Sequence, residues 1–271
     1  MEKNFVVLEN VAYGSHERHK IDIYIPERVT APKGFMLFIH GGGWHDGDKD
    51  KHFGDCEYFS NLGYLCGTMN YRFVSDELTI FDELDDISGA LKAVKSTCAE
   101  QGYDIEGVLL SGVSAGAHLS LMYAYTRADS SPVRPVAACV YCPPPNCAKP
   151  DFLIGIAGKF VEWKHDILSK CCGYRVTKEN LLSEKAQGAL LRISPENYLC
   201  ADCVPTAVFA GMADELIPFE HTKVLMDKLT ALGVKNDLLA YENVIHSIEK
   251  NPVAVAEARA MTVKYAQNYL E

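Results

Sequence analysis

Apolar and polar positions alternate along this chain in two rhythms that take turns. Residues 5–11 are rich in apolar side chains, and His19 to Pro26 alternates with a period of two, as a half-buried strand does; Pro26 then stops it. Phe35 to Ile39 is continuously apolar, the pattern of a strand buried on both faces of a parallel sheet. Phe53 to Leu62 reads as a helix closed by Gly63, and Tyr64 to Met69 as the next strand. Leu84, Ile87, Leu91 and Val94 recur at helical spacing within a helix predicted over 81–98, with acids at its start. Val108 to Leu110 is a short strand, and 115–125 a helix apolar almost all round. Strand 136–142, strand 206–210, helix 219–232, strand 235–241 and helix 252–270 complete the series. Strands and helices in alternation predict an α/β fold, a mostly parallel sheet with helices on both faces.

One stretch breaks the rhythm. Pro143-Pro144-Pro145 ends the strand before it, and strand–helix alternation resumes only after Leu199. A structureless loop of that length is uncommon inside a compact domain. The segment also carries Phe152, Leu153, Ile154, Ile156, Phe160, Trp163, Ile167 and Leu168, then helical spacing from Leu181 to Leu191. Residues 143–199 are therefore expected to form a cap over the site, the alternative being a plain sheet-covering helix. With no linker-like tract anywhere, residues 1–271 read as one domain carrying that insertion.

Candidate chemistry sits where strands end. Gly112-Val113-Ser114-Ala115-Gly116 lies between an apolar run and an apolar helix. A serine on so sharp a turn is lifted clear of the sheet, and the glycines two residues to either side leave room where a β-carbon would clash. Upstream, His40-Gly41-Gly42-Gly43-Trp44 follows another strand. Its glycines let main-chain N–H groups converge on one point, as an oxyanion hole requires.

A serine hydroxyl needs a base, and the base needs an acid to orient it. Of nine histidines, His246 follows the last strand in a short loop, on the sheet edge where strand ends gather. His16, His19 and His52 look like surface-loop residues, His40 and His45 flank the glycine turn, and His118 reads as a core hydrogen-bonder. His165 falls in the insertion and His221 at a helix start. Asp214 follows strand 206–210 and a two-residue turn, with Glu215 as the alternative acid; Asp202 and Asp237 precede strands, on the wrong edge. The expected catalytic set is Ser114, Asp214 and His246, with Gly42, Gly43 and Ala115 donating main-chain N–H groups to the oxyanion. Trp44 and His45 are expected to line the substrate pocket or to pack under the cap.

Bulk composition narrows the partners. A formal charge of −10, from 26 basic and 36 acidic residues, argues against nucleic acid as the main partner. Residues 1–8 hold too short an apolar run for a secretory signal, and no stretch approaches the ~20 apolar residues of a membrane span. A cytoplasmic protein is expected, with no membrane partner, and a homo-oligomer is left open. Ten cysteines include two C-x-x-C pairs, Cys139/Cys142 and Cys200/Cys203. The first lies along a strand, where an offset of three turns the side chains to opposite faces. The gap between the pairs exceeds that of compact zinc modules. Reduced thiols and no metal are expected.

These motifs together resemble the α/β-hydrolase carboxylesterases related to hormone-sensitive lipase and to small bacterial acetyl- and carboxylesterases. His40 to Trp44 with Gly47-Asp48-Lys49, Asn70-Tyr71-Arg72, Gly112 to Gly116, Asp214 with Ile217-Pro218, and His246 carry the likeness over essentially the whole chain. It implies an eight-stranded, mostly parallel sheet with the insertion after the sixth strand, and two-step acyl transfer without a cofactor. The implied substrate is a small-molecule ester of a short acyl chain. Deacetylation of sugars or xylan, or amide hydrolysis of the arylformamidase type, uses the same triad. Two departures stand out: 71–81 lacks the prolines common in the hormone-sensitive-lipase branch, and Ser247 replaces the usual glycine after His246.

Overall fold

In the computed structural model, which describes residues 4–27, 32–154 and 161–271, eight strands form a single sheet in the order β1-β2-β4-β3-β5-β6-β7-β8. The strands are β1 (Phe5–Ala12), β2 (Lys20–Pro26), β3 (Phe35–Ile39), β4 (Leu65–Met69), β5 (Gly107–Val113), β6 (Arg134–Tyr141), β7 (Thr206–Gly211) and β8 (Asn236–Tyr241). β1–β2 and β2–β4 pair antiparallel; from β4 onward every pair is parallel. Residues 1–3, Ile156 and Phe160, on which two of the expectations partly rest, lie outside the described residues.

Two-sided burial explains the continuous apolar strands. In β3, Phe35, Leu37 and Ile39 join one core cluster, while Met36 and Phe38 face another. In β7, Val208 and Ala210 divide from Ala207 and Phe209 in the same way. The first face is covered by α2 (Ile80–Glu100), α3 (Ala115–Thr126) and α7 (Phe219–Ala231), through Ile87, Leu91, Leu119, Met122, Leu225 and Leu229. The second is covered by α1 (Phe53–Asn61) and α8 (Pro252–Tyr269), through Cys56, Phe59, Ala254, Ala258 and Tyr265. Full burial of one large apolar side chain contributes roughly 1.5–3 kcal/mol, so the two layers supply most of the driving force.

Local signals set the helix ends. α2 starts one residue before its predicted first residue because Thr79 and Asp82 form a reciprocal capping box, Asp82 Oδ2 accepting the Thr79 N–H at 2.8 Å. Between β6 and β7 stand α4 (Pro150–Ile154), α5 (Val161–Cys172) and α6 (Glu184–Arg192), then a short 3-10 turn over Pro195–Tyr198. α6 begins where the Ser183 hydroxyl accepts the Ala186 N–H. Among the described residues no helix is long and apolar enough to cross a membrane.

Candidate active site

Register brings the strand ends level. Ile39 of β3 faces Gly112 of β5, Val113 of β5 faces Tyr141 of β6, and Gly211 of β7 faces Tyr241 of β8. The loops that leave these residues therefore meet at the carboxyl edge of the sheet, where open α/β sheets bind ligands.

Ser114 leaves β5 at φ 55°, ψ −116°, a backbone region that residues with side chains rarely occupy. Its own N–H is held by the Tyr141 carbonyl at 2.9 Å. The flanking glycines are required by close approach. A β-carbon on Gly112 would lie 2.6 Å from the Gly116 carbonyl group and 2.7 Å from the Ile39 carbonyl oxygen, and one on Gly116 would overlap that same Ile39 oxygen. The turn is thus wedged against β3 and leaves the serine as the first cap position of α3.

His246 Nε2 stands 2.9 Å from Ser114 Oγ, and His246 Nδ1 stands 2.7 Å from Asp214 Oδ2. The second carboxylate oxygen, Asp214 Oδ1, accepts the N–H groups of Leu216 and Ile217, each at 2.8 Å. Main-chain bonds lace the loops that deliver the acid and the histidine. Met212 N–H donates to the Tyr241 carbonyl at 2.9 Å and Ala213 N–H to the Val244 carbonyl at 3.0 Å. Glu215, the alternative acid, points elsewhere: its Oε2 accepts the His246 main-chain N–H at 3.4 Å. It braces the loop rather than the imidazole. The three side chains named from the sequence are brought together, in the order hydroxyl, imidazole, carboxylate.

Across from Ser114, the loop after β3 turns at Gly42, with φ 123°, where Asp46 N–H donates to the Gly42 carbonyl at 3.0 Å. Gly42 and Gly43 line the same cavity as Ser114 and His246. Ala115 is the first residue of α3, so its N–H belongs to the first turn, which a helix cannot satisfy internally. The loop is braced from behind. Arg18 donates to the carbonyls of Tyr71 (2.7 Å) and Gly47 (3.1 Å) and to His40 Nε2 (3.3 Å). Tyr71 hydroxyl donates to the His40 carbonyl at 3.0 Å, and Asn70 Oδ1 accepts the Lys49 N–H at 2.7 Å. Lys49 itself bonds the buried Asp22 at 2.7 Å. The two tripeptides Gly47-Asp48-Lys49 and Asn70-Tyr71-Arg72 are therefore the scaffold of the glycine loop. Arg18, which completes it, carried no signal in the sequence: it is one arginine in a polar loop.

The cavity holds about 610 Å³ and has two unlike walls. One is apolar and comes largely from the insertion, with Phe152, Trp163, Ile167 and Leu168 beside Trp44 and Ile217. The other is polar, with Lys51, His52, Asp55, Glu249 and Arg259. Arg259 clamps Asp55 through Nε (3.0 Å) and Nη2 (2.8 Å), and His52 Nδ1 meets the other Asp55 oxygen at 3.0 Å. Burial resists ionisation of Asp55, yet His52 and Arg259 together hold its carboxyl below the ordinary value. His52 is thus no surface-loop residue. It is 4% exposed, packed against Phe38 where a 3-10 turn runs into α1, a long-range contact that its neighbours in sequence do not announce.

The pocket pair divides. Trp44 lines the cavity, with its indole N–H donated to His118 Nδ1 at 3.2 Å. His45 is exposed, outside the lining residues, and accepts the Trp163 indole N–H at 3.1 Å. It holds a wall residue rather than forming the wall, because its side chain turns outward from the glycine loop. His118 is buried, donating from Nε2 to the Ile193 carbonyl at 2.6 Å; burial pushes its pKa down to about 4 and keeps it neutral. His221, also buried, meets Asp151 of α4 at 2.8 Å.

Lys164 of α5 is the cavity residue that no pattern foretold. Though only 2% exposed, its ammonium donates to the carbonyls of Phe152 (2.9 Å) and Leu216 (2.8 Å) and lies 4.3 Å from the Phe152 ring centre. Burial pushes its pKa down to about 8, against the pull of Asp214.

Cys142, Asp214 and His246 place three metal-ligating atoms within 4.8 Å of one another. Their other bonds fit the hydroxyl–imidazole–carboxylate array better. Asp214 already accepts two main-chain N–H groups and the imidazole, and burial pushes the Cys142 thiol far from its thiolate form. Cys139, the other half of that C-x-x-C, lies in the same core layer as Cys142, against the expectation of opposite faces, because β6 ends at Tyr141 and Cys142 turns away from strand geometry at φ 46°.

A strained serine after the fifth strand, a histidine after the last and a glycine loop after the third define the class. This is an α/β-hydrolase of the esterase group related to hormone-sensitive lipase. More narrowly, the chain belongs to the BD-FAE family, which it matches over residues 21–229. It is similar to the Arabidopsis thaliana protein named "Probable isoprenylcysteine alpha-carbonyl methylesterase ICMEL1", 24% identical over 89% of this chain and 51% of that one. It is also similar to the "Probable carboxylic ester hydrolase LipM" of Mycobacterium tuberculosis, 27% identical over 81% of this chain and 51% of that one. The chain thus spans about half the length of these curated relatives. Among solved structures, esterase B from Lactobacillus rhamnosis superposes with a TM-score of 0.78 at 18% identity, over 97% of this chain and 85% of that one.

Proposed function

We propose that this protein hydrolyses carboxylic esters by two-step acyl transfer, with Ser114 as nucleophile, His246 as base and then acid, and Asp214 as its orienting carboxylate. The observation that carries the reading is the continuous array from Ser114 Oγ through His246 to Asp214, at 2.9 and 2.7 Å. As the hydroxyl attacks the ester carbonyl, its proton passes to His246 Nε2. Asp214 stabilises the resulting imidazolium through Nδ1 without taking the proton itself. Charge on the tetrahedral oxygen is received by the N–H groups of Gly42, Gly43 and Ala115, any one of which is worth about 10² to 10³ in rate. His246 then protonates the departing alcohol. Water repeats the sequence to release the acid, and no cofactor enters.

Residues 143–199 serve as the cap on this single α/β domain, and their apolar wall receives a short acyl chain. The polar wall favours a second reading in which the alcohol is a sugar, so that acetylated sugars or xylan are deacetylated. Lys51 and Arg259 are offset there by Asp55 and Glu249, which suits a neutral hydroxylated group better than an ion. The test is a p-nitrophenyl ester series from acetate to octanoate, run beside acetylated xylan, with wild type and Ser114→Ala. Ser114→Ala is expected to fold normally and to lose about 10⁴ to 10⁶ in turnover on every ester. Wild-type rates should be greatest on the shortest esters. Full activity of Ser114→Ala, or no ester hydrolysis by the wild type, overturns the proposal.

A further inference from the structure

Ten cysteines are distributed very unevenly between core and surface. Cys56, Cys66, Cys98, Cys139, Cys142, Cys147, Cys171 and Cys172 are buried, and burial pushes the thiol of each above its ordinary value. A thiol in such surroundings is neither reached by a reagent nor readily ionised. Cys200 is exposed and Cys203 partly so.

These two lie on one tight turn that leads into β7. Cys203 N–H donates to the Cys200 carbonyl at 3.2 Å, the bond that closes a β-turn and holds its first and fourth Cα atoms within about 7 Å. A disulfide needs roughly 4.4–6.8 Å between those atoms. The sulfurs already stand 3.9 Å apart, and the Cys200 N–H points at Cys203 Sγ at 3.3 Å. Closure needs a movement of about 2 Å within an exposed turn, set against the usual S–S length.

We propose that Cys200 and Cys203 form a reversible thiol–disulfide site that exchanges with low-molecular-weight disulfides, Cys200 attacking and Cys203 resolving. The Cys200 thiolate attacks one sulfur of the incoming disulfide; that S–S bond breaks and one thiolate leaves. Cys203 then gives its proton to solvent and attacks Cys200 Sγ in the mixed disulfide, expelling the second thiolate. Two protein thiols are oxidised to one disulfide, and the incoming disulfide is reduced to two thiols.

Burial supports the division of labour, since it pushes the Cys203 thiol up to about 11. A rise of two units from an ordinary thiol cuts the thiolate about a hundredfold at neutral pH. Greater nucleophilicity of the more basic sulfur (Brønsted slope about 0.4–0.5) returns part of this, leaving roughly a tenfold slower attack. The turn precedes β7 whereas Asp214 follows it, so the site lies about 20 Å from the ester chemistry, the rise of six strand residues, and does not depend on it.

The experiment uses oxidised glutathione on the folded full chain, read by intact mass and thiol titration. Wild type is expected to show two reactive thiols with Ellman's reagent, and after oxidised glutathione none, with a mass lower by two hydrogens and no adduct. Cys203→Ser should trap a stable glutathione adduct on Cys200. Cys200→Ser should form its adduct about tenfold more slowly than Cys203→Ser. A wild type that keeps the glutathione adduct without closing an internal disulfide, equal rates in the two variants, or two unreactive thiols would each overturn the assignment. Ester hydrolysis should be unchanged in both variants, which separates this test from that of the catalytic reading.

Discussion

The floor of the active site and its cover are built by different means. On the floor, each functional group leaves the end of a parallel strand, and its position follows from register and main-chain bonds. Ser114 is wedged by Gly112 and Gly116 against β3, and Asp214 and His246 are laced to each other's loops. In the cover, α4, α5 and α6 have no strand to fix them. Apolar side chains such as Phe152, Leu153, Ile167, Leu168 and Leu190 pack them into the core cluster on the first face of the sheet, and a few buried polar links add to it. His118 reaches the Ile193 carbonyl, His221 reaches Asp151, and Lys164 reaches the carbonyl of Leu216, whose N–H donates to Asp214. Geometry held by strand register tolerates little change, whereas geometry held by side-chain packing can be altered one side chain at a time. The contrast fits the proposed ester hydrolysis, in which the floor would carry the bond-breaking step and residues 143–199 would set the substrate range.

The sharpest way to strain this contrast is on the floor. Asp214→Asn should lower kcat by about 10⁴ while leaving the thermal midpoint near wild type, because the amide favours the wrong imidazole tautomer. Steady-state kinetics with p-nitrophenyl acetate check it. Unchanged turnover would mean that Glu215 swings in to replace the carboxylate, and that the floor is less rigid than its main-chain bonds imply.

A middle-sized effect is expected at His118, where floor and cover meet. Its folded pKa, about 4, lies below the ordinary 6.5, so the folded state holds its proton less tightly than the unfolded chain. The stability from keeping it neutral is therefore complete above pH 6.5 and is lost as the pH falls toward 4, in all about 3 kcal/mol. Protonation would turn Nδ1 into a donor facing the Trp44 N–H, with no acceptor between them. Urea midpoints from pH 7 to 4.5 should fall in the wild type. In His118→Gln, which keeps one donor and one acceptor but does not titrate, the slope should flatten. An equally steep slope in the variant would move the acid sensitivity elsewhere.

The smallest effect is expected at Lys164. Lys164→Met keeps the stem in place but leaves two carbonyls without their charged donor, a loss of about 2 kcal/mol. The thermal midpoint should drop by about 5 °C. KM for the longer acyl esters should rise a few-fold with kcat close to wild type. A hundredfold fall in kcat on p-nitrophenyl acetate would erase the distinction between floor and cover, since it would make the link to Leu216 part of the chemistry.

Much of the floor was legible before any coordinates. Ser114, His246 and Asp214 each follow an apolar run at a short, fixed distance, and strand ends of a parallel sheet converge on one edge whatever the rest of the chain does. The glycine loop was legible for the same reason, though its brace from Arg18 was not. Arg18 acts through contacts with residues far along the chain, and nothing beside it in sequence marks the partner. His52 was read as a surface-loop residue; the packing of its 3-10 turn against Phe38 of β3 draws it inward. His45 and Trp44 are neighbours, yet one turns out to grip Trp163 and the other in to the cavity. A one-residue step on a loop can reverse a side chain's direction, and no periodicity governs it.

Outside residues 143–199, the order and type of the main strands and helices were settled by the sequence alone. Period-two strands, period-3.6 helices and the glycines at tight turns are local constraints, and each can be read from a short window of residues. Tertiary structure decided how the cover seats on that frame, which wall of the cavity is apolar, and which charged groups neutralise one another within it. Those outcomes depend on contacts between residues separated by tens or hundreds of positions. Their energies come from burial and desolvation, which exist only once the chain has closed upon itself.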